Sequence, residues 1–230
     1  MLVRTDPSAR KHSGISFILI DMKSPGVEPR PIKMIGGASP FCEVFFTDAK
    51  TPKDQLLGPL NAGWTVGKRL LQHERASQTG DNLTAPKITP LQDLAKRYVG
   101  MDEDGQLADL DLRTRLSAHM IDAKAHSLTL ARAAAEAKGN QSPSAATSVM
   151  KNSGTQIGQK RAELMLEIMG AQGLGWDGDE FTAEEKAAVR GWLGGKATTI
   201  FGGSQEIQSN IISKRILGLP DPITGSSSGA

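Results

Sequence analysis

The chain has 230 residues, 38% of them hydrophobic, and its 27 lysines and arginines nearly balance its 25 aspartates and glutamates. It is long enough to bury one large core or two small ones, and it carries no strong charge that would attract nucleic acid or an anionic membrane. Aromatic residues make up only 4% of the chain, which further disfavours a protein that stacks unpaired bases on aromatic rings.

The cysteine count and the hydropathy pattern predict a soluble cytoplasmic protein. The single cysteine, Cys42, cannot form an internal disulfide, which is typical of a reducing compartment. No apolar run approaches the roughly 20 residues that a membrane-spanning helix needs, and no signal peptide is visible.

The chain up to about Gly58 has the pattern of strands and turns. An apolar run at 15–22 and a β-type run at 42–46 flank a stretch at 27–34 that alternates around two prolines. From Asn61 onward the hydrophobic period is helical, and it predicts helices over 62–80, 90–99, 108–138, 143–170, 183–194 and 204–216. Capping signals support three of the starts: Thr89–Pro90, Ser142–Pro143, and Thr182 with Glu185.

Strands followed by long helices predict an α+β fold. We expect a partial β-barrel or sheet over 1–58, a four-helix-type bundle over 59–220 and a disordered tail over 221–230. Gly139 and Gly170 stand where glycines end helices. Gly154 and Gly158 lie inside a predicted helix, and we expect close packing against a neighbouring helix to explain them.

The most informative stretch runs from Ala197 to Gln208 and contains two adjacent glycines followed by a serine. It predicts a helix that ends at Gly202–Gly203 and a new helix with Ser204 as its N-cap. The paired glycines allow close approach of a partner, and the unpaired N–H groups of a helix start suit an electron-rich or anionic ligand. On these residues alone, a tight corner between two helices also explains the stretch.

This string, continued by 214–220, closely resembles the C-terminal signature of the acyl-CoA dehydrogenase family, whose flavoenzymes oxidise acyl-CoA thioesters to enoyl forms. The resemblance extends over nearly the whole chain, from Leu2 to Pro220. Further fragments in the family's order and spacing are Val3–Thr5, Gly14–Phe17, Pro25–Val27, Phe41–Phe46, Asn61–Trp64 and His73–Arg75.

The resemblance implies the second half of the family's middle β-barrel domain, followed by its C-terminal four-helix bundle. The family's N-terminal helical domain and first barrel strands are absent from this sequence. We therefore expect a fragment of a longer enzyme, with a late start or a trimmed relative as the alternatives.

Helix 62–80 carries a candidate catalytic base. Val66, Leu70 and Glu74 are spaced four apart, so Glu74 continues an apolar ridge, where loss of water raises the basicity of a carboxylate. Spacing alone also fits a half-buried structural ion pair between Glu74 and Arg75. The resemblance favours the base, with Arg75 as its structural or electrostatic partner. The family places its catalytic glutamate either before an arginine in this helix or after the aromatic residue of the glycine loop, where this chain has Gly202.

The resemblance also implies FAD as cofactor. Phe201 and Gly202 would lie beside the thioester and the flavin. Gly203, Ser204 and Glu206 would approach the cofactor from the loop and the start of the last helix.

A second turn, containing Glu167, Gly170 and Ala171, resembles the glycine-rich turn that touches the adenosine half of the flavin from a neighbouring subunit. A plain helix corner explains this turn as well. The family often has glutamine where Glu167 stands and glycine where Ala171 stands. A carboxylate near a pyrophosphate is unfavourable, so either the contact is remodelled or Glu167 points away.

Another departure lies between Gly80 and Gly139. Many family members have an arginine followed by Phe-Gly, which grips the cofactor's phosphates, and this string is not found here. Lys96–Arg97 in its place supplies either positive charge or solvated surface. His119 and His126 are seven residues apart, which does not match a chelating pair, so we expect no metal site.

These features together predict a flavin-dependent acyl-CoA dehydrogenase or its C-terminal portion. Glu74 would remove the α-proton, FAD would accept the hydride at N5, and an electron-transferring flavoprotein would reoxidise it. A homo- or hetero-oligomer is expected. The alternatives are a non-catalytic subunit whose bundle completes a partner's flavin site, and an oxidase that passes electrons to oxygen.

Overall fold

The computed structural model describes residues 1–79, 89–137 and 146–220, and the side chains at 72–79, 137 and 146 lie outside that description. The chain divides into two compact units, Met1–Gly80 and Asp81–Ala230. The first unit contains the strands and the first helix, whereas the sequence analysis places a domain boundary ahead of that helix. Those predicted domain limits stay a prediction.

The first unit combines two small antiparallel sheets with one long helix. Strand β1 (Leu2–Arg4) pairs with β2 (Ile15–Phe17), and β3 (Val27–Ile32) pairs with β4 (Phe41–Phe46). Helix α1 spans Gly63–Thr79. Among the described residues the strands form no closed barrel, and the mix of small sheets and helices confirms the predicted α+β fold class.

The predicted strand over 15–22 is correct only at its start. β2 ends at Phe17, and Ile18 makes a single bridge to Leu56. Beyond that point the backbone N–H of Leu19 donates to the Gln55 carbonyl at 3.0 Å. The chain changes partner from β1 to the segment before α1, so the apolar run does not continue one ladder.

A buried polar junction fixes the start of α1 against β2. Ser16 is fully buried, and its hydroxyl lies 2.7 Å from the Thr5 hydroxyl and accepts from the backbone N–H of Asn61 at 2.8 Å. Asn61 takes a left-handed φ of +63°. Gly63 then packs so tightly on β2 that a Cβ there would lie 2.2 Å from the Phe17 nitrogen. Three of the sequence fragments quoted above therefore meet at one point.

The second unit is a set of helices around a central one. Its helices are α2 (Leu91–Tyr98), α3 (Leu110–Ala137), α4 (Ala146–Met169), α5 (Ala183–Gly195) and α6 (Gln205–Ile211), which continues as a π-helical turn, Ile212–Ile216. Helix α4 contacts α2, α3, α5 and α6. The buried core of the unit is formed by apolar residues of α2 to α5: Leu91, Leu94, Ala95, Leu112, Leu116, Leu164, Ile168, Met169 and Ala188. None of the helices over the described ranges combines the length and hydropathy that a membrane-spanning segment requires.

The capping predictions had mixed outcomes. Thr182 and Glu185 form the predicted capping box of α5. The start of α2 was predicted one residue too early, because Pro90 is the N-cap itself and the Thr89 hydroxyl donates to Glu184 at 3.1 Å instead. The signals at Ser142–Pro143 and Gly139 lie outside the described residues.

The two glycines inside α4 differ. A Cβ at Gly154 would lie 3.0 Å from Nε2 of His126, so close packing against α3 explains this glycine, as predicted. The expectation is wrong for Gly158, because no described atom from outside its own helical turn lies within 4 Å of a Cβ added there. His126 also faces Ser153, whose hydroxyl lies 3.0 Å from Nδ1.

The close approach at Gly63 is testable by substitution. Because an added Cβ would meet backbone atoms at 2.2–2.3 Å, we expect Gly63→Ala to lower the free energy of unfolding by about 1–3 kcal/mol. Gly67→Ala is the matched control, since its Cβ would meet only the flexible Leu2 side chain, at 3.2 Å or more. Urea unfolding measures both variants, and equal losses would contradict a special role for residue 63.

His119 and His126 of α3, one buried and one half-buried, predict a loss of stability in mild acid. Burial lowers the pKa of both His119 and His126, so the folded chain binds these protons more weakly than the unfolded chain, whose histidines titrate near about 6.5. Above about pH 6.5 both histidines are neutral in both states and the free energy of unfolding keeps its full value. As the pH falls below that value, the unfolded chain takes up protons more readily and the free energy of unfolding declines. Melting temperatures between pH 8 and 5 test this, and His126→Gln should flatten the profile. If the pH dependence of the melting temperature is unchanged in His126→Gln, groups other than His126 cause the loss of stability.

Candidate functional site

A glycine turn joins the end of α5 to α6. After a 3₁₀ turn at Lys196–Thr199 the chain reaches Gly202 and Gly203, whose φ angles are +68° and +93°. L side chains rarely adopt such left-handed angles, which accounts for two consecutive glycines. The Phe201 side chain beside this turn is 46% exposed.

Ser204 opens α6 as predicted. Its hydroxyl oxygen accepts from the backbone N–H of Ile207 at 3.4 Å. Glu206 lies in the first turn, where hydrogen bonds from its own backbone N–H and from the Ser204 hydroxyl lower the pKa of its carboxyl. These two hydrogen bonds hold the carboxylate at the start of its own helix.

Helix α4 places a half-buried lysine, Lys151, beside this helix start, with its Nζ atom buried. Nζ of Lys151 has no hydrogen-bond partner among the described residues, and burial lowers its pKa while the charge of Glu206 opposes that effect. The next residue, Asn152, donates from Nδ2 to the Ser209 hydroxyl at 3.4 Å. Lys151 was not among the predicted site residues, because a lone lysine on a helix is normally solvated.

Gln208 is a second residue that the sequence analysis missed, although it closes the quoted string. Only 5% of this residue is exposed, and its Nε2 donates to the carbonyl oxygen of Gly202 at 3.1 Å. The glutamine stands four residues after Ser204, on the face of α6 that meets the turn. That spacing was the one feature of the sequence from which a contact between Gln208 and the turn could have been predicted.

Glu167 is engaged within its own chain. Both oxygens of its carboxylate accept from the guanidinium of Arg115 on α3, which also donates to Asp111 at 2.8 Å. The Arg115 contact lowers the pKa of Glu167, so the group is an ionised and paired carboxylate.

The turn after α4 is a 3₁₀ segment, Gly170–Leu174. Gly170 takes a φ of +56°, as expected of a glycine that ends a helix, and Ala171 is exposed. Oε1 of Gln172 is buried without a hydrogen-bond partner in the described part of the chain. Lys151, which lies beside α6, and Gly170 are roughly 19 residues apart along α4. At about 1.5 Å per helical residue, this turn therefore lies about 28 Å from the α6 region.

Glu74 and Arg75 lie on α1, but their side chains are outside the described side chains. Earlier members of the predicted ridge are described: Val66 is half-buried and Leu70 is 56% exposed. The ridge that leads to Glu74 therefore presents apolar surface, and the role of Glu74 stays a prediction.

The residues at both turns fit a polar cofactor such as FAD in one respect. Each turn lies beside a buried polar atom that has no partner among the described residues, Lys151 Nζ near α6 and Gln172 Oε1 after α4. Such atoms cost free energy unless a ligand or water satisfies them. The partly buried backbone of the glycine turn adds further donors and acceptors for a ligand.

Comparison with known proteins identifies the family. The family model of the acyl-CoA dehydrogenase C-terminal domain matches residues 61–217. Acyl-CoA dehydrogenase FadE34 of Mycobacterium tuberculosis is 36% identical over 220 residues, which are 95% of this chain and 28% of that protein. Acyl-CoA dehydrogenase IpdE1 of the same organism is 33% identical over 227 residues, which are 98% of this chain and 56% of that protein. The chain thus spans about a quarter to a half of the length of these relatives.

Solved structures show the same fold. The Tcur3481–Tcur3483 steroid ACAD superposes with a TM-score of 0.78 at 23% identity, over 96% of this chain and 56% of that chain. A chain of the ChsE4–ChsE5 complex from Mycobacterium tuberculosis gives a TM-score of 0.75 at 24% identity, over 96% and 57% respectively. On the family model and the sequence relatives together, this chain belongs to the acyl-CoA dehydrogenase family.

Proposed function

We propose that this chain is the C-terminal portion of a flavin-dependent enzyme that converts acyl-CoA thioesters to enoyl-CoA. The observation that carries the proposal is the glycine turn at Gly202–Gly203, which opens into a helix capped by Ser204 and leaves Phe201 exposed beside it. Because the chain covers only part of its relatives, the activity is that of the complete enzyme.

Glu74 is the proposed base. The hard step in this reaction is removal of a weakly acidic proton next to the thioester carbonyl, which needs a carboxylate held away from water. Gly202 provides no carboxylate at the family's other position. Helix α1, which carries Glu74, is fixed at its start by the Ser16 junction, so its direction relative to the strands is well defined. Arg75 is the proposed electrostatic partner.

The cofactor would be held by the two turns. Gly203, Ser204 and Glu206 would face the flavin of one site, with Phe201 and Gly202 toward the acyl group. FAD supplies the hydride acceptor when bound. The protein's own residues hold the substrate, exclude water and take the α-proton, and an electron-transferring flavoprotein is the proposed reoxidant.

Glu167, Gly170 and Ala171 are proposed to contact the cofactor of a neighbouring subunit. Support comes from the separation of about 28 Å along α4, which is too large for both turns to serve one end of one cofactor. Pairing with Arg115 neutralises Glu167 locally and so reduces its repulsion of a phosphate group.

Substitution of the base tests the catalytic role. In the complete enzyme we expect Glu74→Gln to retain flavin, because the amide preserves size, and to slow exchange of the substrate α-proton into heavy water by about 10²- to 10⁴-fold. NMR of the acyl-CoA in deuterated buffer measures this exchange. Lys68→Gln, on an exposed position of the same helix, is the matched control and should exchange at the parent rate. Exchange that persists in Glu74→Gln would refute the assignment.

A second candidate is a non-catalytic subunit of a hetero-oligomeric acyl-CoA dehydrogenase. It is favoured by the absence of the family's arginine and Phe-Gly string and by the likeness to a chain of the ChsE4–ChsE5 complex. The likeness to a steroid ACAD extends the proposed substrates from fatty acyl to steroid acyl thioesters.

Visible absorbance distinguishes the two candidates. A purified complete protein with flavin bands near about 450 nm that bleach anaerobically with an acyl-CoA supports the catalytic subunit, since flavins absorb there. A colourless protein that acquires these bands only when coexpressed with a second acyl-CoA dehydrogenase polypeptide supports the partner subunit. Bands that never bleach with any acyl-CoA would contradict both.

A further inference from the structure

Gln208 is one of four polar or charged side chains that are buried among the described residues. It lies on α6, one turn after the Ser204 cap, and α6 packs against α4. A buried amide has a strong requirement for partners, since each unsatisfied group costs free energy. The group to which Gln208 donates is therefore important for its burial.

That partner is the backbone of the glycine turn. Nε2 of Gln208 donates to the Gly202 carbonyl at 3.1 Å. The same nitrogen would lie 2.4 Å from a Cβ added to Gly203. The glutamine therefore holds one glycine by a hydrogen bond and occupies the space that a side chain on the next one would need.

This contact restricts the backbone of a segment that has no side chains of its own to limit its conformation. Two consecutive glycines have a wide choice of backbone conformations, and no side chain of their own limits them. Fixing each residue in one conformation opposes folding by conformational entropy. A hydrogen bond from the buried Gln208 side chain selects the observed pair of left-handed conformations.

We propose that Gln208 is the positioning residue of the glycine turn. It sets the Gly202–Gly203 backbone so that Phe201 and the start of α6 keep the arrangement needed at the cofactor and acyl site. The consequence for the cofactor rests on the proposed function, whereas the effect on the turn does not.

Hydrogen exchange tests the turn without a cofactor. The backbone N–H groups of Phe201, Ile207 and Gln208 are bonded to Ala197 or Ser204 and report on the turn and the helix start. We expect Gln208→Leu, which keeps the bulk but removes the donor, to raise exchange at these amides about fivefold, the equivalent of ~1 kcal/mol for one hydrogen bond. Unchanged exchange in a folded Gln208→Leu protein would overturn the proposal.

Gln208→Glu provides a second test, because it keeps the bulk of the side chain and makes the hydrogen-bond donor depend on pH. A protonated carboxyl donates an O–H to the Gly202 carbonyl, whereas an ionised one repels it. Burial raises the pKa of an introduced carboxyl above its usual value near about 4.3, so the exchange defect should be large at pH 8 and recover toward pH 5 after correction for intrinsic rates. Asn210→Asp, exposed on the same helix, is the matched control and should show no such recovery. A Gln208→Glu defect without pH dependence would contradict the hydrogen bond as its cause.

Flavin retention in the complete enzyme separates this inference from the proposed function. If the positioning role is correct, Gln208→Leu should shift the flavin absorbance bands or lower flavin occupancy, and Asn210→Asp should not. Faster exchange with unaltered flavin bands would refute the link to the cofactor site. A parent protein that binds no flavin, either alone or with a partner, would refute the proposed function. If hydrogen exchange in the Gln208 variants still changes as described, the role of Gln208 in positioning the turn is supported independently.

Discussion

The packing of α4 is the constraint on which the second unit depends. Helices α2, α3, α5 and α6 all lie against it, and its residues Leu164, Ile168 and Met169 belong to the buried core. Gly154 lets the His126 side chain of α3 pack directly against α4. Both candidate cofactor segments are attached to this helix, one beside its first turns and one directly after its end. The packing of this one helix therefore places the two candidate segments at distant points.

Three of the four buried polar side chains among the described residues serve the connections between elements. Ser16 ties the segment before α1 to β2. Glu185 accepts from the Thr182 backbone and from the Tyr98 hydroxyl, so that it caps α5 and joins it to α2. Gln208 holds the glycine turn before α6. In each case the buried group satisfies backbone atoms that a turn or helix end leaves unpaired, which is the physical reason for its burial.

The sequence predicted the features that follow from local patterns. The long helices, the capping box at Thr182 and the N-cap at Ser204 were correct, because short-range periodicity and side-chain-to-backbone bonds determine them. The extent of β2 was wrong, since a change of strand partner after Phe17 is a long-range event. Gln208 and Lys151 were missed for the same reason: their importance comes from burial against distant segments, and no local pattern distinguishes them from surface residues.

The arrangement of charges at the end of α4 bears on how a complete cofactor site would be assembled. Arg115 binds Glu167 and Asp111 together, and these side chains are partly exposed, so the pairs add little to folding stability. Their effect is local: the guanidinium offsets a carboxylate one turn before the Gly170–Leu174 segment, which leaves that turn acceptable to an anionic ligand. Along the same helix, this turn is nevertheless about 28 Å from Lys151, which lies beside α6. If both segments contact one kind of cofactor, each copy of this chain offers two half-sites at opposite ends of α4. A whole site of this kind then needs a second chain, either a copy of this one or a different subunit.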